Sequence, residues 1–212
     1  MSAAIEISPL VLIVSGPSGS GKSTLVQRIL EMHGTMPSVS CTTRPRRATE
    51  SSGKCYDFVT EQQFEAMVRQ DEFLEFARVF GKHSYGTPRK WLAESRSSGK
   101  DLVLEIDVQG AAQVKKKLPE AVAIFILPPS REELERRLRG RGQDAEEEIQ
   151  RRLAQARDEI QAFGRYYDYC VVNDDVERAG RDVQAIVTAL RCASARNRGR
   201  VQSLLSSFGG KG

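Results

Sequence analysis

Eight residues early in the chain have the types and the spacing to bind a polyphosphate. The segment GPSGSGKS, residues 16–23, fits G-x-x-x-x-G-K-[ST] at every fixed position. Glycine tolerates positive φ and has no Cβ, so consecutive backbone N–H groups can point into one anion-binding concavity. Lys22 would place a compact positive charge at the β- and γ-phosphates, and the Ser23 hydroxyl could ligate Mg²⁺. These residues indicate nucleoside triphosphate binding but leave the fate of the γ-phosphate open.

The elements on either side of this loop support that interpretation. PLVLIVS, residues 9–15, is a continuous apolar run rich in β-branched residues, the pattern of a strand buried on both faces. Residues 22–31 have helical composition, so the positive end of a helix would face the bound phosphates. A strand, a glycine-rich turn and a helix in this order favour a phosphate loop over an ordinary turn.

Further strands and helices alternate along the chain. The predicted strands that resemble the first lie at 101–108, 121–127 and 167–173. Each precedes a helical pattern, at 109–117, 130–138 and 175–191. This alternation predicts the α/β class, with a parallel sheet between two layers of helices and the phosphate loop at its edge.

Two stretches interrupt the alternation. Residues 35–98 contain short aromatic and β-branched segments broken by Pro, Gly and Ser, which predicts a small, partly antiparallel insert with a helix at 61–70. Residues 130–162 are rich in Glu, Arg, Gln and Ala, and Gly140 and Gly142 divide them into two helices. Such a polar helical hairpin could pivot as a lid.

Composition and charge narrow the classes of function. The net charge of +4, with 28% charged residues, is ordinary for a globular chain and does not require a nucleic acid partner. The four cysteines form no C-x-x-C pair, which argues against a zinc site or a disulfide framework. The first 15 residues lack a basic segment, and their apolar run is too short for a signal peptide or a membrane span. We therefore expect a cytoplasmic protein that binds neither nucleic acid nor membranes.

The order of several motifs resembles the guanylate kinase family from the phosphate loop to about residue 190. The motifs that carry the resemblance are SVSCTTRPRR, GKCYDF, EFLEFARVFGKHSYGTP, LEIDVQGA, LRGRG and VVNDD. The resemblance implies Mg²⁺-dependent transfer of a phosphoryl group from ATP to GMP, and to dGMP, by direct in-line displacement. It also implies one domain over residues 1–212. Its predicted parts are a core (1–37, 99–129 and 163–195), a GMP-binding subdomain (38–98), a lid (130–162) and a tail (196–212).

The family holds the acceptor phosphate with arginines and tyrosines. The matching positions are Arg44, Arg47, Tyr56 and Tyr85. Arginine suits this task because its planar fork meets two phosphate oxygens at once. The alternative interpretation of TTRPRR is a basic loop that faces solvent.

Glu75 matches the family's carboxylate that recognises guanine. One carboxylate can accept hydrogen bonds from both the N1–H and the 2-amino group of guanine, whereas adenine presents an acceptor at N1. The resemblance adds Ser40, Gly86 and Thr87 as further contacts to the acceptor. Without the resemblance, the alternating EFLEF would place Glu75 on the solvent face of a strand.

Glu105 and Asp107 lie at the end of the strand DLVLEIDV, where ligands bind in open α/β sheets. The period of two predicts that both side chains share one face. In the family the first position lies near Mg²⁺ and the second helps to fix the acceptor. Because this chain has Glu rather than Asp at the first position, the way Glu105 contacts the metal is left open, as is an ordinary loop role for the pair.

The remaining site residues come from the donor side and the lid. The resemblance places Arg137, Arg141 and Arg152 at the transferred phosphate, and Asn173 near the donor adenine. The predicted catalytic residues are Lys22, Arg44, Arg137, Arg141 and Arg152. The predicted ATP-binding residues are Gly16, Pro17, Ser18, Gly19, Ser20, Gly21, Lys22, Ser23, Thr24 and Asn173. The alternative for the lid arginines is a solvated surface of i,i+4 salt bridges.

Two other functions stay open from the sequence. One is a phosphate-loop kinase of another small phosphorylated acceptor, for which Glu75 and Ser40 would have no use. The other is a non-catalytic guanylate kinase-like binding module, which would typically lack the phosphate loop or the lid arginines. The expected partners are the small molecules ATP and GMP, and self-association is left open.

Overall fold

The structure of the protein is a computed structural model that describes residues 8–46, 56–79, 83–140 and 145–208. The strands, in chain order, are β1 (Val11–Ser15), β2 (Thr35–Pro37), β3 (Ser40–Thr42), β4 (Tyr56–Phe58), β5 (Phe73–Val79), β6 (His83–Pro88), β7 (Asp101–Glu105), β8 (Val122–Leu127) and β9 (Tyr169–Val172). The helices are α1 (Lys22–Leu30), α2 (Glu61–Arg69), α3 (Lys90–Ser98), α4 (Val108–Lys117), α5 (Arg131–Arg139), α6 (Glu146–Gln161), α7 (Val176–Cys192) and α8 (Ser194–Ser207). A single 3-10 turn among the described residues spans Phe163–Arg165.

Five parallel strands form the central sheet, in the order β2-β7-β1-β8-β9. Strand β1 is buried along its whole length because helices cover both faces of the sheet. On one face, Leu12 and Val14 pack with residues of α1 and α7. On the other face, Ile13 packs with residues of β7 and α4. The predicted α/β class and the parallel sheet are confirmed.

The strand order brings the predicted site to one edge of this sheet. β1 lies between β7 and β8. Because the three strands are parallel, their carboxyl ends and the loops that follow them lie at the same edge of the sheet. The loop after β1 carries the glycine-rich segment, and the end of β7 carries Glu105. Ligands bind at this edge of open α/β sheets, where the strand order reverses.

A second, four-stranded sheet has the order β4-β3-β6-β5. β3 pairs with β4 in parallel, while the other two pairs are antiparallel, as the sequence predicts for the insert. Two contacts fix β5 to α4 of the core. The Gln113 side chain exchanges hydrogen bonds with the backbone of Phe76 (3.2 and 2.7 Å), and the Lys117 ammonium donates to the Leu74 carbonyl (2.6 Å).

α5 and α6 form the predicted pair of polar helices. A small apolar cluster holds them together, and its members are Leu134, Leu138, Ile149, Leu153 and Ala156. The two helices also carry ion pairs, such as Glu148 with both Arg151 (2.6 Å) and Arg152 (3.0 Å). These ion pairs are partly exposed and therefore add little to the free energy of unfolding. The apolar cluster is the main contact that stabilises the packing of α5 on α6.

Helix α8 forms most of the segment that the resemblance assigns to the tail. It is helical to Ser207, and Val201, Leu204, Leu205 and Phe208 are exposed along it. None of the helices within the described ranges combines the length and the apolar composition that a membrane span needs. The division of the chain into core, GMP-binding subdomain, lid and tail stays a prediction, as does the cytoplasmic location.

Candidate active site

The glycines of residues 16–21 make the phosphate loop possible. Gly16, Gly19 and Gly21 have φ values of 140°, 92° and 91°, which side chains disfavour. A Cβ on Gly16 would lie 2.3 Å from the Ile126 carbonyl oxygen, and one on Gly21 would lie 2.1 Å from Asn173 Nδ2. The loop therefore packs its backbone directly on β8 and on the residue after β9. Helix α1 begins at Lys22, so its first N–H groups are available to an anion.

Lys22 lies over the loop that precedes it. Its ammonium donates to the carbonyl oxygens of Gly16 (2.6 Å) and Pro17 (3.0 Å). These bonds hold the charge at the mouth of the loop, next to the cavity that Gly16, Ser18 and Lys22 help to line. A phosphate there would meet a positive charge that is already in place.

Ser23 and Glu105, the two residues predicted to lie near Mg²⁺, are in contact. The Ser23 hydroxyl donates to Glu105 Oε1 at 2.6 Å. Within the described residues no group of three or more Cys, His, Asp or Glu side chains could hold a metal by itself. One hydroxyl and one carboxylate fit Mg²⁺, which takes one or two protein oxygens and completes its shell with phosphate oxygens and water.

Glu75 also lines the cavity and is buried, with 4% of its surface exposed. It lies opposite Thr87 across the β5–β6 pair, and the Thr87 hydroxyl donates to Glu75 Oε1 at 2.6 Å. Ser40 lies 3.1 Å from the Thr87 hydroxyl and continues this network. Burial raises the pKa of Glu75 to about 7, the nearby charge of Asp107 adds to the rise, and the hydrogen bond from Thr87 opposes it.

Gly110 makes room for Glu75, and sequence reasoning did not assign it to the site. A Cβ on Gly110, in the first turn of α4, would lie 2.6 Å from Glu75 Oε2. The segment LEIDVQGA contains this glycine, so a signal was present, but the sequence does not say which side chain approaches it. Gly86, predicted to contact the acceptor, is packed against the ring of Phe73 instead, and its contact with a nucleotide stays a prediction.

Arg44, Tyr56 and Tyr85 are brought together by the second sheet. Tyr56 lies opposite Ser40 and Tyr85 lies opposite Thr42 on the strand between them. The two tyrosine ring centroids are 5.6 Å apart, and the Arg44 guanidinium lies 5.7 Å from the Tyr56 centroid. Both tyrosines line the cavity. The fourth predicted member of this group, Arg47, lies outside the described residues.

Asp107 corrects one expectation from the sequence. The period of two placed it on one strand face with Glu105, but β7 ends at Glu105 and α4 begins at Val108. Asp107 is instead the N-cap of α4, and its side chain accepts a hydrogen bond from the Gly110 N–H at 2.8 Å. The change from strand to helix ends the alternation, yet both carboxylates still line the cavity.

The lid arginines that the structure describes lie against the phosphate loop. Arg137 donates to the carbonyls of Asn173 (2.8 Å) and Ser20 (3.4 Å), and Arg152 donates to the Ser18 hydroxyl (3.2 Å). Asn173 is buried and donates to the Ser20 carbonyl at 2.8 Å, so it supports the loop. Its predicted contact near adenine is untested, and Arg141 lies outside the described residues.

One cavity, of about 230 Å³, is shared by the phosphate loop and the second sheet. Gly16, Ser18 and Lys22 line it from the loop, Glu75 and the two tyrosines line it from the second sheet, and Glu105 and Asp107 line it as well. Gln155 and Glu159 of α6 also line it, and the sequence analysis missed both. Their segment has the composition of a solvated helix face, so no local signal marks them.

Comparisons with known proteins agree with this arrangement. Residues 8–190 match the family model described as guanylate kinase. The chain is 50% identical over 198 residues to a guanylate kinase of Neisseria gonorrhoeae, covering 93% of this chain and 96% of that one. It is 47% identical over 199 residues to that of Escherichia coli K12, covering 92% and 95%. The crystal structure of a guanylate kinase from Anaplasma phagocytophilum matches with a TM-score of 0.77 and 34% identity, covering 96% of this chain and 97% of that chain. The chain belongs to the guanylate kinase family.

Proposed function

We propose that this protein is an ATP-dependent guanylate kinase, which transfers the γ-phosphoryl group of ATP to GMP and releases ADP and GDP. The observation that carries the proposal is that a phosphate loop and a buried carboxylate line the same cavity. A phosphate loop alone would support many reactions. The buried Glu75 restricts the acceptor to a group that presents hydrogen-bond donors.

The donor half binds the triphosphate through the loop and Lys22. Backbone N–H groups of residues 16–23 and the first turn of α1 supply partial positive charge, and Lys22 supplies a full one. The ammonium would exchange the Gly16 and Pro17 carbonyls for phosphate oxygens. Because these groups are in place before the reaction, little reorganisation is needed when charge moves in the transition state.

In the acceptor half, one group of residues recognises the base and a different group binds the phosphate. The ionised Glu75 accepts from N1–H and the 2-amino group of guanine, while Ser40 and Thr87 keep the carboxylate hydrogen-bonded. A wrong base costs about 1–3 kcal/mol at such a bidentate contact. Arg44, Tyr56 and Tyr85 are the described groups that would bind the acceptor phosphate.

The chemistry then requires position and charge rather than a strong base. The acceptor phosphate is already ionised, so its oxygen can attack the γ-phosphorus in line with the bond that breaks. Arg137 and Arg152 reach the loop from α5 and α6, and they would bridge the two phosphates when the helices close over the cavity. Closure would also exclude water, which otherwise competes with GMP as the acceptor.

Mg²⁺ belongs to this proposal, and Ser23 and Glu105 are the residues that would hold it. When bound, the ion neutralises charge on the β- and γ-phosphates. The glutamate in place of the family's aspartate carries its carboxylate one methylene further from the backbone. The contact between Ser23 and Glu105 shows that this longer side chain reaches the hydroxyl at the start of α1.

The two alternatives from the sequence are not favoured. A non-catalytic module has no use for an ordered phosphate loop with Lys22, Arg137 and Arg152 against it. A kinase of a different acceptor has no use for a carboxylate buried at the acceptor end. The relatives that match almost the whole chain at about half identity are guanylate kinases.

The acceptor is tested by measuring ADP release with Mg-ATP against GMP, dGMP, AMP, CMP and UMP in parallel. We expect GMP to be used with a kcat/KM roughly tenfold to a hundredfold above that of AMP, because adenine sets a lone pair against the Glu75 carboxylate. Lys22→Ala protein purified in parallel controls for contaminating kinases, because it carries the same contaminants and differs only at the phosphate loop. Equal rates with GMP and AMP would contradict the role of Glu75.

The binding of GMP should weaken in mild acid. Burial raises the pKa of Glu75 to about 7 in the empty site, and only the ionised carboxylate accepts both guanine donors. The KM for GMP should therefore rise by about tenfold for each pH unit below 7, while kcat at saturating GMP changes less. Initial rates between pH 5.5 and 8 measure this, and dGMP, which carries the same base, should follow the same curve. A KM for GMP that is constant over this range would refute the interpretation.

A further inference from the structure

Glu159 is a buried carboxylate that the proposed phosphoryl transfer does not use. It lies in the last turn of α6, only 7% exposed, and lines the same cavity as Lys22 and Gly16. Gln155, one turn earlier on the helix, donates to Glu159 Oε1 at 2.8 Å. An acidic side chain at this place is unexpected, because the proposed ligands of the cavity are themselves anions.

Charged and titratable groups face Glu159 from several elements. Lys22 at the start of α1 attracts its negative charge, while Asp107 before α4 and Asp158 on its own helix repel it. The Tyr167 phenol, which donates to the Ser15 hydroxyl at 3.0 Å, is near enough for Glu159 to raise the pKa of Tyr167. Glu105 at the end of β7 lines the same cavity. Burial is the largest influence and raises the pKa of Glu159 to about 7, against the attraction of Lys22.

The binding of ATP should shift the protonation equilibrium of Glu159 toward the neutral carboxyl. In the proposed function, the Lys22 charge is neutralised by the β- and γ-phosphates, so part of its stabilisation of the Glu159 carboxylate is lost. The phosphates also bring several negative charges into the cavity, and the complex stays negative when Mg²⁺ accompanies ATP. A nearby like charge and the loss of a nearby cation both favour the neutral form of a buried carboxyl. An uncompensated buried carboxylate beside phosphate would be strongly unfavourable.

We propose that Glu159 takes up a proton from solvent when ATP binds, and that it then faces the phosphates as a neutral carboxylic acid. The neutral carboxyl has one O–H, which can donate a hydrogen bond to a phosphate oxygen, whereas the carboxylate can only accept. Glu159 is thereby a positioning residue of α6 that favours the approach of this helix to bound phosphates. The inference rests on the proposed function, since it requires ATP in the cavity.

Titration calorimetry with Mg-ATP and no GMP tests the inference directly. The measurement is made at pH 8, where the terminal phosphate is ionised and about nine-tenths of Glu159 should be ionised in the empty site. Repeating it in two buffers with different ionisation enthalpies gives the number of protons exchanged. We expect the unmodified protein to take up a large fraction of one proton for each ATP bound. Glu159→Gln should take up none, because the amide is neutral in both states.

Asp158→Asn is the matched control. It removes the same charge from the adjacent residue of the same helix, but Asp158 is exposed and outside the cavity lining, so proton uptake should persist. The second readout is the ATP dissociation constant between pH 7 and 9. It should rise by up to about tenfold per pH unit in the unmodified protein and in Asp158→Asn, and stay nearly constant in Glu159→Gln.

The outcomes separate this inference from the proposed function. Binding of ATP without proton uptake overturns the role of Glu159 and leaves the function intact, and this result needs no variant. Uptake that persists in Glu159→Gln, or that disappears equally in Asp158→Asn, also overturns it. If circular dichroism shows that Glu159→Gln is unfolded, the inference is tested on the unmodified protein alone, by the number of protons taken up per ATP and by the pH dependence of its ATP dissociation constant. A protein that binds no ATP at all would instead refute the proposed function.

Discussion

Replacing Lys22 with alanine is expected to lower kcat for GMP phosphorylation by about 10²–10³-fold, the range seen when one preorganised charge-stabilising group is removed. The reason is that Lys22 supplies a full positive charge at the mouth of the loop, where the transferred phosphoryl group changes its charge distribution. Backbone N–H groups and the α1 terminus would remain in the variant, so residual activity should be measurable. The loop carbonyls of Gly16 and Pro17 can bond to water once the ammonium is gone, so the fold should persist.

Initial rates at saturating Mg-ATP and GMP measure this effect, and thermal unfolding by circular dichroism checks the fold. Lys116→Ala is the control, because Lys116 is an exposed lysine of α4 outside the cavity lining, and its rate should be unchanged. A Lys22→Ala protein that keeps its fold and more than half of its activity would remove this lysine from the mechanism.

Glu75→Gln is expected to lower kcat/KM for GMP by roughly tenfold to a hundredfold, while the KM for ATP changes by less than about twofold. An amide offers one acceptor and one donor in place of two acceptors, so one of the two guanine donors meets an N–H group. Glu75 belongs to β5 of the second sheet and not to the phosphate loop, which is why ATP binding should be spared. The variant should also lose the acid weakening of GMP binding, since the amide does not titrate.

Steady-state kinetics with each substrate varied in turn measure this change. Glu72→Gln makes the same substitution at an exposed position three residues earlier, and it should behave as the unmodified protein does. The ratio of GMP to AMP activity should also fall in Glu75→Gln, because glutamine can pair with adenine through its amide. An unchanged kcat/KM for GMP would show that another group reads the base.

Local sequence was sufficient for the parts of the site that lie within one segment. The phosphate loop is contiguous, so its motif and its flanking strand and helix could be predicted together, and Gly16 and Gly21 have the positive φ values that the motif requires. The apolar runs predicted the parallel sheet because strands buried on both faces cannot alternate polar and apolar residues. Glu75 and the tyrosines came from a resemblance rather than from periodicity, which would have placed Glu75 in solvent.

Features that depend on contacts between distant segments were not predicted. Asp107 was assigned to a strand face because the chain gives no warning that α4 begins one residue later. The hydrogen bond from the Asn173 amide to the carbonyl of Ser20, 153 residues earlier, was not predicted. Glu159 lies in a segment of charged residues typical of a solvent-facing helix, and only the packing of α6 against the cavity buries it. Burial of a charged side chain is a property of the assembled fold, so a local pattern cannot show it.

The contact between Glu75 and Gly110 has a consequence for redesign and for inhibitors. The carboxylate belongs to the second sheet, but the space for its Oε2 is provided by the first turn of α4, and the Asp107 N-cap fixes that turn. An enzyme redesigned to accept another base would therefore need coordinated changes in β5 and in the first turn of α4, because a bulkier side chain at position 75 would collide with the helix. An inhibitor that mimics the base and separates Glu75 from Gly110 would also disturb the packing of α4 against β5. Resistance could then arise by substitution of residue 110, without any change in the second sheet.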